Sequence, residues 1–326
     1  MIKKPLLILS SVSLLALAGP PAGEAAVTIL NNDFSSGVRD VQDLPNESAW
    51  YAAGPGERLF ASPDDGGSLT LNQVNAGGAN TGAMTYFTDS GAIEIPAGGS
   101  LSVSFDFVVN GVFDSDNNRF WVGIHNSHGS RLVQDAEVTD AGTSPGNRQM
   151  KLDKFESYTG YEAAMNIDRT PEKEDPNTSR IYRRPADNDR SRIMSNQGAT
   201  GIGSSNPEGM EDLYLNDETV YHMEFLLYRF QDGESIRATL NVSGGDLLET
   251  QTMTGTDPSL IETSFDTFTI WQSRFVTSEA TFTDEFIFQN FEVTYVPEPS
   301  TYALLFGAGA LVVAGLYRRR HRRGAG

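Results

Sequence analysis

Cysteine is missing from all 326 residues. Its absence excludes a disulfide framework, a cysteine zinc site, an iron–sulfur cluster and a thiol nucleophile. Positive charge is scarce, with 24 Lys+Arg against 43 Asp+Glu and a formal net charge of −19. Phosphate binding needs clustered Lys and Arg, so nucleic acid is not an expected partner. Histidine is rarer still, with only four in the chain. No segment between residues 27 and 296 holds a helical period for three turns, and no Gly-x-Ser-x-Gly nucleophile elbow is present. Hydrophobic residues at 39% and aromatics at 10% are too many for a disordered chain.

The two ends read as addresses. Residues 1–26 have a signal peptide's parts: Lys3 and Lys4, an apolar run from Leu6 to Leu17, then small residues ending Glu24-Ala25-Ala26. Cleavage is expected near Ala25 or Ala26. The run is too short for a membrane span, which takes about 20 apolar residues. The C-terminal end reads Val296-Pro297-Glu298-Pro299-Ser300, then an apolar stretch, then Arg318-Arg319-Arg320-His321-Arg322-Arg323. Tyr302 to Tyr317 would span ~24 Å as a helix at ~1.5 Å per residue, just short of a ~30 Å hydrocarbon core. The arginines would hold their flank in the cytoplasm, leaving the body outside. The alternative is a plain tail anchor.

This ordered arrangement of triplet, short apolar helix and Arg cluster resembles the PEP-CTERM sorting signal of Gram-negative bacteria that make extracellular polysaccharide. The resemblance implies a partner, the membrane protease exosortase, which would cut near the triplet. It further implies transient residence in the inner membrane, then delivery to the cell surface or extracellular matrix. Pro297, Glu298, Pro299, Arg318, Arg319 and Arg320 would then be recognition residues for another enzyme.

Without the two ends, residues 27–296 keep 17 basic and 41 acidic residues, a net charge of −24. Such a surface repels anionic polymers and offers carboxylates to Ca²⁺, a hard cation that prefers oxygen ligands. Period-two alternation predicts strands. Leu101, Val103, Phe105, Phe107 and Val109 share one face, and Phe120, Val122 and Ile124 oppose Arg119, Trp121 and His125. Further strands are expected over 220–230, 236–242, 267–271 and 286–295. Residues 134–217, rich in Asp, Arg, Asn, Gly and Pro, form a loop-rich insertion in which only 161–167 and 181–182 look able to pair. The expected fold is an all-β antiparallel β-sandwich over 27–296, flanked by an N-terminal signal helix and the C-terminal transmembrane helix 302–317 of the sorting segment 297–323. A second domain within the insertion is the alternative.

Three short segments carry a resemblance for this body. Ile29-Leu-Asn-Asn-Asp-Phe-Ser-Ser-Gly37 resembles the opening strand of jelly-roll carbohydrate-binding modules. Phe120-Trp-Val-Gly-Ile-His-Asn-Ser-His-Gly129 resembles a strand-turn of concanavalin A-like lectin and glucanase sandwiches, and Phe286 to Thr294 is similar to the last strand of both groups. The resemblance implies a concanavalin A-like jelly roll.

Sugar recognition needs flat aromatic faces and polar groups for hydroxyls. Strand phase gathers Arg119, Trp121 and His125 on one strand face and His222, Glu224 and Tyr228 on another. If those strands are neighbours, Trp271 joins them in a glycan groove; otherwise the aromatics belong to the core. No catalytic residues are assigned, because the Glu-x-Asp-x-x-Glu pattern of the resembling glucanases is absent. For calcium, Asp114 and Asp116 imitate the start of an EF-hand loop that fails at Arg119 and His125. Asn32 and Asp33, placed near Asp284, are the other candidate ligands. The expected protein is a non-catalytic, exported, glycan-binding sandwich with exopolysaccharide as partner. The alternatives are a polysaccharide hydrolase or lyase, and a structural surface protein without ligand.

Overall fold

The computed structural model describes residues 25–52, 59–72, 81–110, 119–135, 153–168, 179–186, 194, 198–205, 210, 213–273 and 285–298. Residues Ala25–Glu298 form one compact unit. Its strands in chain order are β1 (Val27–Asn32), β2 (Trp50–Ala52), β3 (Leu59–Ser62), β4 (Ser68–Asn72), β5 (Thr81–Tyr86), β6 (Ile93–Glu94), β7 (Ser100–Asn110), β8 (Arg119–Asn126) and β9 (Thr159–Asp168). They continue as β10 (Arg180–Arg184), β11 (Thr200–Ile202), β12 (Leu213–Tyr214), β13 (Val220–Arg229), β14 (Ile236–Gly244), β15 (Gln251–Asp257), β16 (Ser264–Phe265), β17 (Thr267–Ser273) and β18 (Glu285–Val296). Two eight-stranded sheets result. The first runs β15-β14-β13-β7-β18-β4-β3, with β1 also on β18; the second runs β11-β10-β9-β8-β17-β5-β2, with β12 on β9. A small β6–β16 ladder stands apart. Pairing is antiparallel except for β12 on β9.

The signal segment 1–24, the span 302–317, Pro299 and the arginines of the tail lie outside the described residues. No helix among the described residues is long and apolar enough to cross a membrane. Residues 134–217 contribute β9 through β12 to the second sheet, with the ten-residue β9 between β8 and β10.

Alternation builds the core. β7 buries every second residue from Leu101 to Val109 and turns the serines and Asp106 outward. β13 repeats this with Tyr221, Met223, Phe225 and Leu227. The facing sheet contributes Phe120, Val122, Ile124, Phe268 and Ile270. Aromatic rings bridge the two layers: Phe105 lies 5.8 Å from Phe268, and Phe120 stacks 4.9 Å from Phe286. Each such ring removes a large apolar area from water.

In β18 the alternation changes phase. Phe286 and Phe288 point inward, then Phe291 and Val293 do. The ladder to β7 shifts between Gln289 and Glu292, which face Asp106 and Ser104. Two residues there oppose one, a β-bulge. Asn290 takes the left-handed conformation with φ of 51°, which asparagine tolerates better than most residues. Its amide donates to Asp106 Oδ2 at 2.7 Å. In a regular strand carrying the same residues, Asn290 would take the inward place and Phe291 would face solvent. β1 runs antiparallel to the last part of β18, with Val27 opposite Tyr295.

Candidate functional site

The sequence-derived glycan residues fall into two separate groups. Trp121 and Trp271 are directly opposed on β8 and β17. They share the outer face of the second sheet with His125, and all three are buried. Trp121 stacks on Tyr182 at 5.5 Å. That face is covered by Leu132, Phe155, Tyr158 and Met194. Arg119 opens β8 opposite Asn166. His222, Glu224 and Tyr228 lie on β13, between β7 and β14 in the other sheet. There His222 Nδ1 pairs with Asp106 Oδ1 at 2.9 Å, Asn241 donates to Glu224 at 3.0 Å, and Tyr228 packs on Phe230. β8 and β13 lie in different sheets and are not neighbours. The expected single groove is therefore corrected to two opposite outer faces, one covered and one open.

Asn32 and Asp33 hold a turn. Asn32 Oδ1 accepts from the Phe34 amide and Asp33 Oδ1 from the Ser35 amide, each at 2.9 Å. The Ser35 hydrogen bonds hold the Asp33 carboxyl below its ordinary value. Asp114, Asp116 and Asp284 lie outside the described residues, among which no cluster of three potential metal ligands occurs. Pro297 and Glu298 directly follow β18.

Beneath the cover of the second sheet lies a polar network that the sequence did not reveal. Glu162, Gly123 and Thr269 are in register across β9, β8 and β17. A side chain at Gly123 would meet the His125 ring at 2.4 Å, so the missing Cβ makes room for the imidazole. His125 Nε2 lies 3.2 Å from Glu162 Oε1, and Nδ1 lies 3.3 Å from the Thr269 hydroxyl. A neutral ring satisfies both if Nε2–H donates to the carboxylate and Nδ1 accepts. Arg184, almost fully buried, sits 3.6 Å from the same Glu162 oxygen and donates to the carbonyls of Phe155 and Tyr158. Glu162 Oε2 has no hydrogen-bond partner among the described residues. Tyr158 and Tyr86 join hydroxyls at 2.9 Å. Burial pushes Tyr86 up to about 12.

Burial likewise pulls His125 below its ordinary value, opposed by Glu162 and reinforced by the Arg184 charge. A depressed folded pKa means that the unfolded chain takes up the proton first, so stability falls as pH drops below ~6.5. Melting temperature is expected to decline between pH 7 and pH 5. In His125→Gln the protein should be less stable at pH 7 but show a flatter decline. Thermal melts across that range test this, and parallel curves for the two proteins would contradict it.

A third place is open. A cleft of about 610 Å³ is lined by residues of the loop 37–40, by Trp50 and Tyr51 of β2, by Leu59, Phe60 and Ala61 of β3, and by Val133, Gln134 and Asp135. β2 and β3 are terminal strands of different sheets, so the cleft opens along the side of the sandwich. Its walls are fixed by local bonds. Arg39 grips Asp135 with both terminal nitrogens, Nη1 to Oδ1 at 2.8 Å and Nη2 to Oδ2 at 2.7 Å. Nη1 also donates to the Trp50 carbonyl, and the Ala52 amide donates to Asp135 Oδ1. Burial alone would raise Asp135, but the Arg39 and Ala52 hydrogen bonds and the Arg39 charge hold it low. The opposite end of the 133–135 wall is tied by Leu132, whose amide donates to the Tyr86 hydroxyl at 2.6 Å, and by Arg131, paired with Asp266 at 3.0 Å. Phe60, Val38 and Val133 are exposed in this cleft, Val133 by 81%.

Comparison with known proteins separates tail from body. Residues 296–323 match a PEP-CTERM protein-sorting motif. That motif implies export and processing by exosortase. No curated protein matches the sequence. The body is loosely similar to legume-type lectin structures. Lectin II from Ulex europaeus shares 12% identity at a TM-score of 0.43, over 84% of this chain and 99% of that one. A peanut lectin with a bound nonapeptide shares 11% at 0.41, over 83% and 97%. The metal-free carbohydrate recognition domain of Emp46p shares 10% at 0.41, over 79% and 93%.

Proposed function

We propose that this chain is a non-catalytic β-sandwich that leaves the cell, is trimmed by exosortase, and binds glycan at the cell surface or in the exopolysaccharide matrix. The observation that carries the reading is the sorting motif at 296–323, which begins at the last residue of β18. In this reading residues 1–26 are a signal peptide, 27–296 the cargo, and 302–317 a transient membrane span. Trimming at the triplet would remove nothing that pairs in the sheets. A non-catalytic body is favoured over a hydrolase or lyase because His125, Glu162, Arg184 and Tyr158 are packed beneath a covering layer, and Arg184 is engaged by Glu162 and two main-chain carbonyls. Mass spectrometry of the protein recovered outside the native cells should find a first residue near Val27 and a last residue near the Pro297–Pro299 triplet. An intact C-terminus in that fraction would overturn the processing step.

A further inference from the structure

We infer that the side cleft between β2 and β3 is the glycan-binding site, and that it takes an uncharged sugar chain rather than an anionic one. The inference rests on the glycan-binding reading above and assigns it a place and a ligand class.

Sugar rings present an apolar face and a rim of hydroxyls, so a site needs exposed apolar surface beside fixed polar atoms. The cleft supplies both. Phe60 stands 43% exposed on the β3 wall, and Val133 and Val38 extend the apolar surface. Tyr51 projects from the opposite, β2 wall, half-buried against Tyr86 at 5.8 Å. Burial raises the Tyr51 hydroxyl above its ordinary value, so at neutral pH it stays a donor. Between the walls Asp135 accepts three bonds from Arg39 and Ala52. A carboxylate has about four acceptor positions, so one remains for a sugar hydroxyl, and the Asp135 side chain is 31% exposed. These groups are held by protein bonds before any ligand arrives, which lowers the ordering cost of binding. The volume falls in the range typical of small-ligand sites.

Charge selects the class. Arg39 is matched by Asp135 in a bidentate pair, which leaves Asp40 as the unmatched charge among the described lining residues. The surrounding body carries −24. A polymer of uronates or sulfated sugars would meet repulsion on approach, whereas a neutral chain meets none.

The test uses the full-length protein in mild detergent and affinity electrophoresis through gels containing dextran, galactomannan, glucomannan or, as anionic members, alginate and hyaluronate. At least one neutral polymer should retard the protein, and the anionic ones should not. Phe60→Ala and Val133→Arg should weaken that retardation by about tenfold. Both residues are exposed, so near-UV dichroism and melting temperature should stay at the unsubstituted values. If a glycan binds and neither substitution weakens it, the cleft assignment is overturned while glycan binding stands. If alginate binds best, the uncharged class is overturned. If no polymer binds, the glycan reading and the inference fail together, and capture of a peptide along the open β2 or β3 edge in its place would do the same.

Discussion

A chain that stops after Glu298 is expected to melt at the temperature of the full-length protein, whereas one that stops after Asn290 should not fold. The difference is only eight residues. β18 lies between β7 and β4 and also carries β1. Residues after Asn290 supply Phe291 and Val293 to the core and the whole of β1's partner register, from Asn32 opposite Phe291 to Val27 opposite Tyr295. Phe291 is packed 4.9 Å from Trp50, edge to face, and 5.2 Å from Phe268. Two buried apolar side chains are worth roughly 3–6 kcal/mol. With β1 and its Leu30 released as well, the loss approaches the ~5–15 kcal/mol that holds a domain together. Circular dichroism and proteolysis of the two truncated chains decide the matter. A folded product ending at Asn290, or an unfolded one ending at Glu298, would show that the cargo does not end where β18 ends.

The second large effect is expected at Arg184. Replacing it with alanine removes the cation beside Glu162 and leaves a carboxylate in a fully buried site. Breaking a buried pair from one side costs about 3–5 kcal/mol. For a body of this size that corresponds to a fall in melting temperature on the order of 10 °C. The carbonyls of Phe155 and Tyr158 each lose the guanidinium as a donor in the same step, so the short 3₁₀ turn Asp153–Ser157 should become protease-sensitive. Glu162→Gln combined with Arg184→Met removes both charges and should recover more than half of the loss. If the double variant is no better than Arg184→Ala, the cost is one of packing and the charge explanation fails.

The strands most visible in the sequence are those with one wet face. β7 alternates clearly because serines and Asp106 face outward, and β13 shows the same phase through His222 and Glu224 although Leu226 and Tyr228 share its outer face. β8 alternates too, yet both its faces are dry. Trp121 and His125 therefore looked like an exposed face when they are roofed by a third layer. Phase tells which side of a strand a residue takes, not which sheet the strand joins, so the sequence leaves open whether β8 and β13 are neighbours, and they are not. β15 was invisible for another reason. Its inward positions are Met253, Gly255 and Asp257, only one of them a large apolar residue. β2 and β3 have three and four residues, too few to show a period. The cleft they form depends on a pair, Arg39 and Asp135, separated by 96 positions. Gly123 within a run of strand-formers was the one readable hint of close packing at the buried histidine.

The pairing of the first strand with the last has a mechanical side. Val27 and Tyr295 are opposite each other, so the beginning and the end of the sandwich leave from one corner. A load pulling those two points apart would act across the ladder rather than along it. Its hydrogen bonds would then break one after another, as in peeling, instead of resisting together in shear. A cargo held at both ends would yield first at β1, at low force, and the damage would start at the corner nearest its tethers.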